Sequence, residues 1–227
     1  MIASIAIIWD FDGVVVFTPH EKAWELAAEK LGVTGFTSEF YRSLVSGRPR
    51  LEGARNIVKY LHGEDAPERL EELARKLAEV KNDIFLSLVE QGEVELNSEV
   101  LDFIARTRVH PRVRFLNILA SASKNASRIA EVLSYGGNPL KMYFDVDVSG
   151  SGATKRDVFA NALAASAEAD CHLAVDDAQS GIRAAVELGI IPIGYGDPRL
   201  ALHGAELVVE SLKSLDPEVF VRICGSR

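Results

Sequence analysis

Three times in this chain a short apolar run stops abruptly on side chains suited to chemistry. Ser4 to Trp9 ends in Asp10-Phe11-Asp12-Gly13, Phe115 to Ala120 ends in Ser121-Ala122-Ser123-Lys124-Asn125, and His172 to Val175 ends in Asp176-Asp177. Apolar runs of this length, bounded by turn formers, read as strands buried on both faces of a parallel sheet. Helical stretches alternate with them, from about Ser98 to Arg106, Ala126 to Tyr135 (stopped by Gly136-Gly137), Arg156 to Ala167 and Gly181 to Leu188. Further strands are expected at Phe144 to Val148, Ile190 to Gly194 and near Leu207 to Val209. Such succession predicts a doubly wound, Rossmann-like α/β core, in which functional groups collect at the carboxyl ends of the strands.

One stretch breaks the alternation. From Pro19 to about Gln91 the pattern is helical, with Pro19 as a start signal and Trp24, Leu26, Ala27 and Leu31 at helix-compatible spacing. Its clearest helix runs from Pro67 to Gln91, where Leu70, Leu73, Leu77, Val80, Ile84 and Leu88 form one apolar stripe. The expected organisation is therefore a core built from residues 1–16 and 95–227, with a helical cap inserted at 17–94. The linkers fall near Val16 to Pro19 and Gly92 to Asn97.

Composition narrows the partners. The 33 acidic residues outnumber 25 basic ones, a net charge of -8 that excludes broad electrostatic capture of nucleic acid but leaves room for a local anion pocket. The apolar runs fall far short of the ~20 residues of a membrane span. No basic segment precedes the first apolar run, so a cytoplasmic protein is expected, with no membrane or nucleic-acid partner. Cys171 and Cys224 are read as two buried thiols. His62, His110, His172 and His203 share no ligand spacing and receive no role.

In a parallel sheet the three polar clusters converge on one edge. Asp10, Asp12, Asp176 and Asp177 crowded together repel unless a cation or shared protons hold them, and an oxygen-only donor set suits Mg²⁺. Lys155, in the loop after the strand ending at Val148, is the candidate cation for a phosphoryl group, whose transfer depends on positioning and charge neutralisation. The plainer alternatives are helix caps for the aspartates, Ser121, Ser123 and Asn125, and a solvated loop position for Lys155.

Taken in order, Asp10-Phe11-Asp12-Gly13-Val14, Ser121, Lys155 and Asp176-Asp177 resemble the four motifs of the haloacid dehalogenase superfamily, and the resemblance spans essentially the whole chain. It implies Asp10 as a nucleophile forming an aspartyl-phosphate and Asp12 as general acid and base. It implies phosphoryl contacts from Ser121, the adjacent Ala122 and Lys155. Mg²⁺ would be held by Asp10 and Asp177, with the Asp12 backbone carbonyl and Asp176. Asp12 counts against a dehalogenase proper, a branch that lacks this aspartate.

Finer details resemble β-phosphoglucomutases: Leu119 to Asn125, Thr18, His20 with Trp24, Gly47-Arg48 and Lys81-Asn82-Asp83. This implies that Arg48 (or Arg50), Ser123, Lys124 and Asn125 serve a distal phosphate and that His20 and Lys81 position substrate. Lys81 falls within the apolar stripe of its helix, which fits a snorkelling lysine equally well. There are departures. Phe17 replaces an aspartate, two residues are missing between Thr18 and His20, no proline-rich stretch follows Lys155, Asp176 replaces a glutamate, and Asn97 stands where a Pro-Gly pair often opens the return to the core. The expected activity is Mg²⁺-dependent phosphoryl transfer on a small phosphate monoester, a sugar phosphate by preference. Hydrolysis leads, a phosphomutase is the alternative, and a catalytically silent phosphate-binding protein is third.

Overall fold

Strand β1 (Ser4–Trp9) is apolar at five of its six positions, and all five are fully buried, because it runs between two neighbours in the middle of a sheet. In the computed structural model, which describes residues 2–61 and 67–226, the chain divides into two compact units, Met1–Phe17 with Glu95–Arg227, and Thr18–Val94.

After β1, the first unit continues through β2 (Val16–Phe17), then β3 (Glu95–Leu96), α5 (Ser98–Arg108), β4 (Arg114–Leu119) and α6 (Ala126–Val132). There follow β5 (Ser134–Tyr135), β6 (Asn138–Pro139), β7 (Val146–Asp147), α7 (Lys155–Ala165) and β8 (Cys171–Asp176). It closes with α8 (Gln179–Glu187), β9 (Ile191–Tyr195), β10 (Leu207–Val209) and α9 (Glu218–Gly225). The main sheet has six parallel strands in the order β10-β9-β8-β1-β4-β7. Side chains alternate across it. Ala6 and Ile8 pack with Val158 and Phe159 of α7 and Ala184 and Ala185 of α8. On the other face Trp9 meets Phe103 of α5 edge-on at 6.1 Å, and Phe103 meets Phe220 of α9 at 5.3 Å. Each such fully buried side chain stabilises the fold by roughly 1.5–3 kcal/mol. Register then places the chemistry: Trp9 pairs with Leu119 and with Val175, so the residues after all three emerge at one level of one edge.

The second unit consists of α1 (His20–Lys30), α2 (Ser38–Leu44), α3 (Arg50–Leu61) and α4 (Pro67–Glu90). Trp24, Ala27, Ile57, Val58, Ala74 and Leu77 form its core. His62 lies outside the described residues. No helix among the described residues is long and apolar enough to cross a membrane.

Three local expectations are corrected. The helix expected to reach Tyr135 ends at Val132, because Leu133 turns extended and Ser134–Tyr135 pairs with Asn138–Pro139 across Gly136-Gly137. Both glycines have positive φ, 55° and 82°, the conformation a two-residue hairpin demands. The strand expected from Phe144 to Val148 is cut to Val146–Asp147 at the sheet's edge. The two cysteines are not thiols: Cys171 at the start of β8 is disulfide-bonded to Cys224 in α9, with Cα atoms 6.0 Å apart. Helix α9 has no counterpart in the pattern reading, so nothing brought Cys224 to that strand.

Candidate active site

The turn that follows β1 is set by backbone bonds and one glycine. Asp10 N–H donates to the Val175 carbonyl at 3.0 Å, and Val15 and Val16 both donate to the Phe11 carbonyl, at 2.9 and 3.0 Å. Gly13 has φ +89°, and a Cβ there would stand 2.1 Å from Asp177 Oδ2, so only glycine lets the turn close against that carboxylate. Gly181 does the same in the first turn of α8: its Cβ would fall 2.0 Å from the Asp176 carboxylate. The sequence read Gly181 only as a helix start, although a glycine inside a helical pattern is itself a sign of close approach.

Lys155 opens α7. Thr154 caps that helix, its hydroxyl accepting from Asp157 N–H at 3.2 Å while the Asp157 carboxylate accepts from Thr154 N–H at 3.0 Å. This capping box fixes where the lysine leaves the backbone. Its ammonium lies 2.6 Å from Asp10 Oδ1 and 3.0 Å from Asp176 Oδ2, and 5.5 Å from the Phe159 ring centre. The proline-rich stretch missing after Lys155 is thus not needed to aim it.

Asp10, Asp176 and Asp177 each offer a carboxylate oxygen within 4.8 Å of the others. Among the described residues Asp12 adds no side-chain oxygen to this group, though its charge is close enough to act on Asp10. Burial, helped by repulsion from Asp176 and Asp12, pushes the Asp10 carboxyl up to about 7 against the pull of Lys155. Burial, helped by repulsion from Asp176 and Asp10, likewise raises Asp177 against the pull of Lys155. Burial works against the Lys155 ammonium too, but Asp10 and Asp176 outweigh it and hold the ammonium charged. Three carboxylates therefore face one cation. Among the described residues, Asp176 Oδ2 is buried with only that ion pair and no well-formed hydrogen bond. The surplus negative charge and this under-satisfied oxygen fit a hard divalent cation such as Mg²⁺.

Ser121 is buried, accepts from Ser123 N–H at 3.1 Å and donates its own N–H to Ser149 Oγ at 3.2 Å. Its carbonyl accepts from Gly150 N–H at 2.8 Å, and a Cβ on Gly150 would stand 3.1 Å from Lys124 Cα, so the loops after β4 and β7 are packed together. Ala122, Ser123, Lys124 and Asn125 continue this loop, Asn125 at the N-cap position of α6. The remaining candidates belong to the second unit. Lys81 is buried there, its ammonium 2.7 Å from His20 Nδ1 and 4.4 Å from the Phe85 ring centre, while His20 stacks on Phe85 at 4.3 Å. It does not snorkel outward. Arg48 is ion-paired with Glu52 at 2.6 Å.

No protein-family model matches the chain. Among solved structures, it is similar to an archaeal β-phosphoglucomutase from the hyperthermophilic Pyrococcus sp. strain ST 04, with a TM-score of 0.84, 39% identity, and coverage of 98% of this chain and 100% of the other. CbbY from Rhodobacter sphaeroides, solved in complex with phosphate, matches with a TM-score of 0.72 and 26% identity over 95% of this chain and 96% of its own. A β-phosphoglucomutase from Clostridium difficile shares the fold at a TM-score of 0.76 and 23% identity, covering 100% of this chain and 98% of its own.

Proposed function

Because the chain belongs to the haloacid dehalogenase superfamily, among its phosphatases and phosphomutases, and is thus a phosphoryl-transfer enzyme, we propose that it hydrolyses small phosphate monoesters, sugar phosphates foremost, through an aspartyl-phosphate on Asp10. The observation that carries this is the Asp10–Lys155–Asp176 arrangement, in which the one cation of the cluster touches the nucleophile directly.

Asp10 Oδ forms the new bond to phosphorus as the bond to the ester oxygen breaks. The departing oxygen takes the electron pair and a proton from Asp12. Water then attacks the aspartyl-phosphate, Asp12 takes its proton, and the phosphorus–Asp10 bond breaks to release phosphate. Lys155 pulls the Asp10 carboxyl back toward its ionised form against its burial and offers its ammonium to the phosphoryl oxygens, with Ser121 and the Ala122 backbone on the adjacent loop. Asp10, Asp176, Asp177 and the Asp12 carbonyl are the groups that would hold Mg²⁺. When bound, that ion neutralises charge on the transferring phosphoryl group.

Hydrolysis is preferred because Phe17, the shortened segment between Thr18 and His20, and Asn97 all depart from the pattern that specialises a mutase. A mutase is the second reading, favoured by the identity of 39% to a protein described as a β-phosphoglucomutase. On that reading the family resemblance assigns a distal phosphate to Arg48, Ser123, Lys124 and Asn125, and substrate positioning to His20 and Lys81. A panel of sugar phosphates tested for released phosphate, with Mg²⁺, with Ca²⁺ and with chelator, checks the proposal, run beside an assay for isomerised product with a bisphosphate activator. Free phosphate that requires Mg²⁺ supports the hydrolase. Stoichiometric isomer without free phosphate establishes the mutase, and activity in excess chelator removes the metal. A cytoplasmic location is proposed alongside. The Cys171–Cys224 disulfide weighs against it, since such bonds persist mainly outside reducing compartments, hyperthermophiles excepted.

A further inference from the structure

The turn bearing Asp12 leaves two consecutive carbonyls, Val14 and Val15, directed away from its own hydrogen bonds, and one distant residue takes both. Asn97 Nδ2 donates to the Val14 carbonyl at 2.8 Å, and Asn97 backbone N–H donates to the Val15 carbonyl at 3.0 Å. The second amide hydrogen goes to Tyr195 Oη at 2.8 Å. Tyr195 in turn donates to Glu99 Oε1 at 2.5 Å, and Ser211 Oγ donates to Glu99 Oε2 at 2.5 Å. A carboxylate can only accept, so the Tyr195 hydroxyl must point its hydrogen at Glu99 and receive from Asn97. The direction of the whole chain of bonds is fixed, and with it the orientation of the Asn97 amide.

Asn97 and Tyr195 are 6% and 7% exposed, and Val14 and Val15 are fully buried. A buried amide with an unmet donor is costly, so this network holds only as a complete set. It ties the segment two residues beyond Asp12 to the last residue of β9, the strand next to β8. A proline at position 97 would supply no backbone donor and a glycine no side-chain donor, so the departure noted in the sequence has a specific use.

We propose that Asn97 is a positioning residue for Asp12: by clamping the Val14 and Val15 carbonyls, with Tyr195 and Glu99 behind it, it fixes the turn that sets the Asp12 carboxyl against Asp10. This rests on the reading of Asp12 as general acid and base, and it assigns to the core a second layer of residues that touch no substrate.

The test compares wild type with Asn97→Ala and Tyr195→Phe. Steady-state rates with an aryl phosphate and Mg²⁺, well below the melting temperature, are combined with amide hydrogen exchange at Gly13, Val15 and Val16, whose N–H groups make the turn's own bonds. Asn97→Ala should lower kcat by roughly 10- to 100-fold with KM little changed, the scale of an ångström-level misplacement. Exchange at the three amides should quicken. Tyr195→Phe keeps the bond to Val14, so the same changes should appear but smaller, and it serves if Asn97→Ala does not fold. A role confined to stability would lower the melting temperature and leave kcat intact. Unchanged kcat in folded variants, with or without faster exchange, overturns the proposal. If wild type releases no phosphate, the activity reading fails instead, and exchange alone decides: faster exchange upholds the clamp and unchanged exchange overturns it.

Discussion

The two edges of the main sheet are made by the same strands and built to opposite ends. At the carboxyl edge Asp10, Asp176 and Asp177 crowd around Lys155, and burial together with their mutual repulsion raises the Asp10 and Asp177 carboxyls. At the amino edge a carboxylate is matched by hydrogen-bond donors. Asp170 accepts from Ala3 N–H at 2.8 Å and Ser4 N–H at 2.9 Å, which holds its carboxyl below the usual range, and the Cys171–Cys224 disulfide ties β8 to α9 one residue later. One edge keeps an arrangement that opposes folding and that, on the proposed function, serves the chemistry. The other anchors the chain. Changes at the first should therefore alter activity and spare or improve stability, and changes at the second should do the reverse.

The sharpest separation comes from Asp10→Asn. An amide cannot act as the nucleophile, so turnover should vanish, while removing one of three crowded carboxylates should leave the metal-free protein at least as resistant to heat. Calorimetry beside a rate assay checks both halves, and a large loss of stability would break the contrast. Next in size is the disulfide. It closes a loop spanning 53 residues, for which chain entropy gives about 4 kcal/mol. Cys224→Ser, or reduction, should lower the melting temperature clearly and leave kcat at 25 °C within about twofold. A large drop in kcat would mean that α9 supports the site as well as the fold.

The smallest effect is the pH dependence of stability, and the two edges should give opposite signs. Asp10 is raised from an ordinary 3.8 to about 7, so the folded metal-free protein holds a proton that the unfolded chain has released. Stability from this group is full below about pH 4 and is lost as pH rises toward 7. Asp170 is depressed, so its contribution is present above its ordinary 3.8 and is lost as pH falls below it. Denaturant titrations of Asp10→Asn and Asp170→Asn across pH 3 to 8 should each flatten one limb. Loss of the same limb in both would refute the opposition.

The carboxyl edge was legible in the sequence because its aspartates and Ser121 each follow an apolar run. Burial on both faces fixes β1, β4 and β8, and their parallel register delivers Asp10, Ser121 and Asp176 to one place. Lys155 was visible as a loop cation, but its two carboxylate partners were not, since they depend on where the Thr154 cap starts α7. The amino edge was nearly silent. Cys224 sits on a short helix after the turn-rich Ser211 to Pro217, with no periodic pattern long enough to place it. Asn97 and Tyr195 lie 98 residues apart, and no local spacing announces a bond between them. The hairpin at Ser134–Pro139 was hidden for another reason: Gly136-Gly137 serves as a helix stop or a hairpin turn, and only the pairing strand decides.

The central claim is that Asp10 carries the phosphoryl group, and an Asp12→Ala variant tests it most directly. Overall rate should fall by roughly 10² to 10⁴. An aryl phosphate has a leaving group that departs without help from an acid, whereas hydrolysis of the intermediate still needs the missing base. The variant, mixed with that substrate and Mg²⁺, quenched in acid and digested, should therefore yield a peptide bearing one phosphoryl group on Asp10. A phosphoryl group on any other residue, or continued turnover with none on Asp10, would contradict the account.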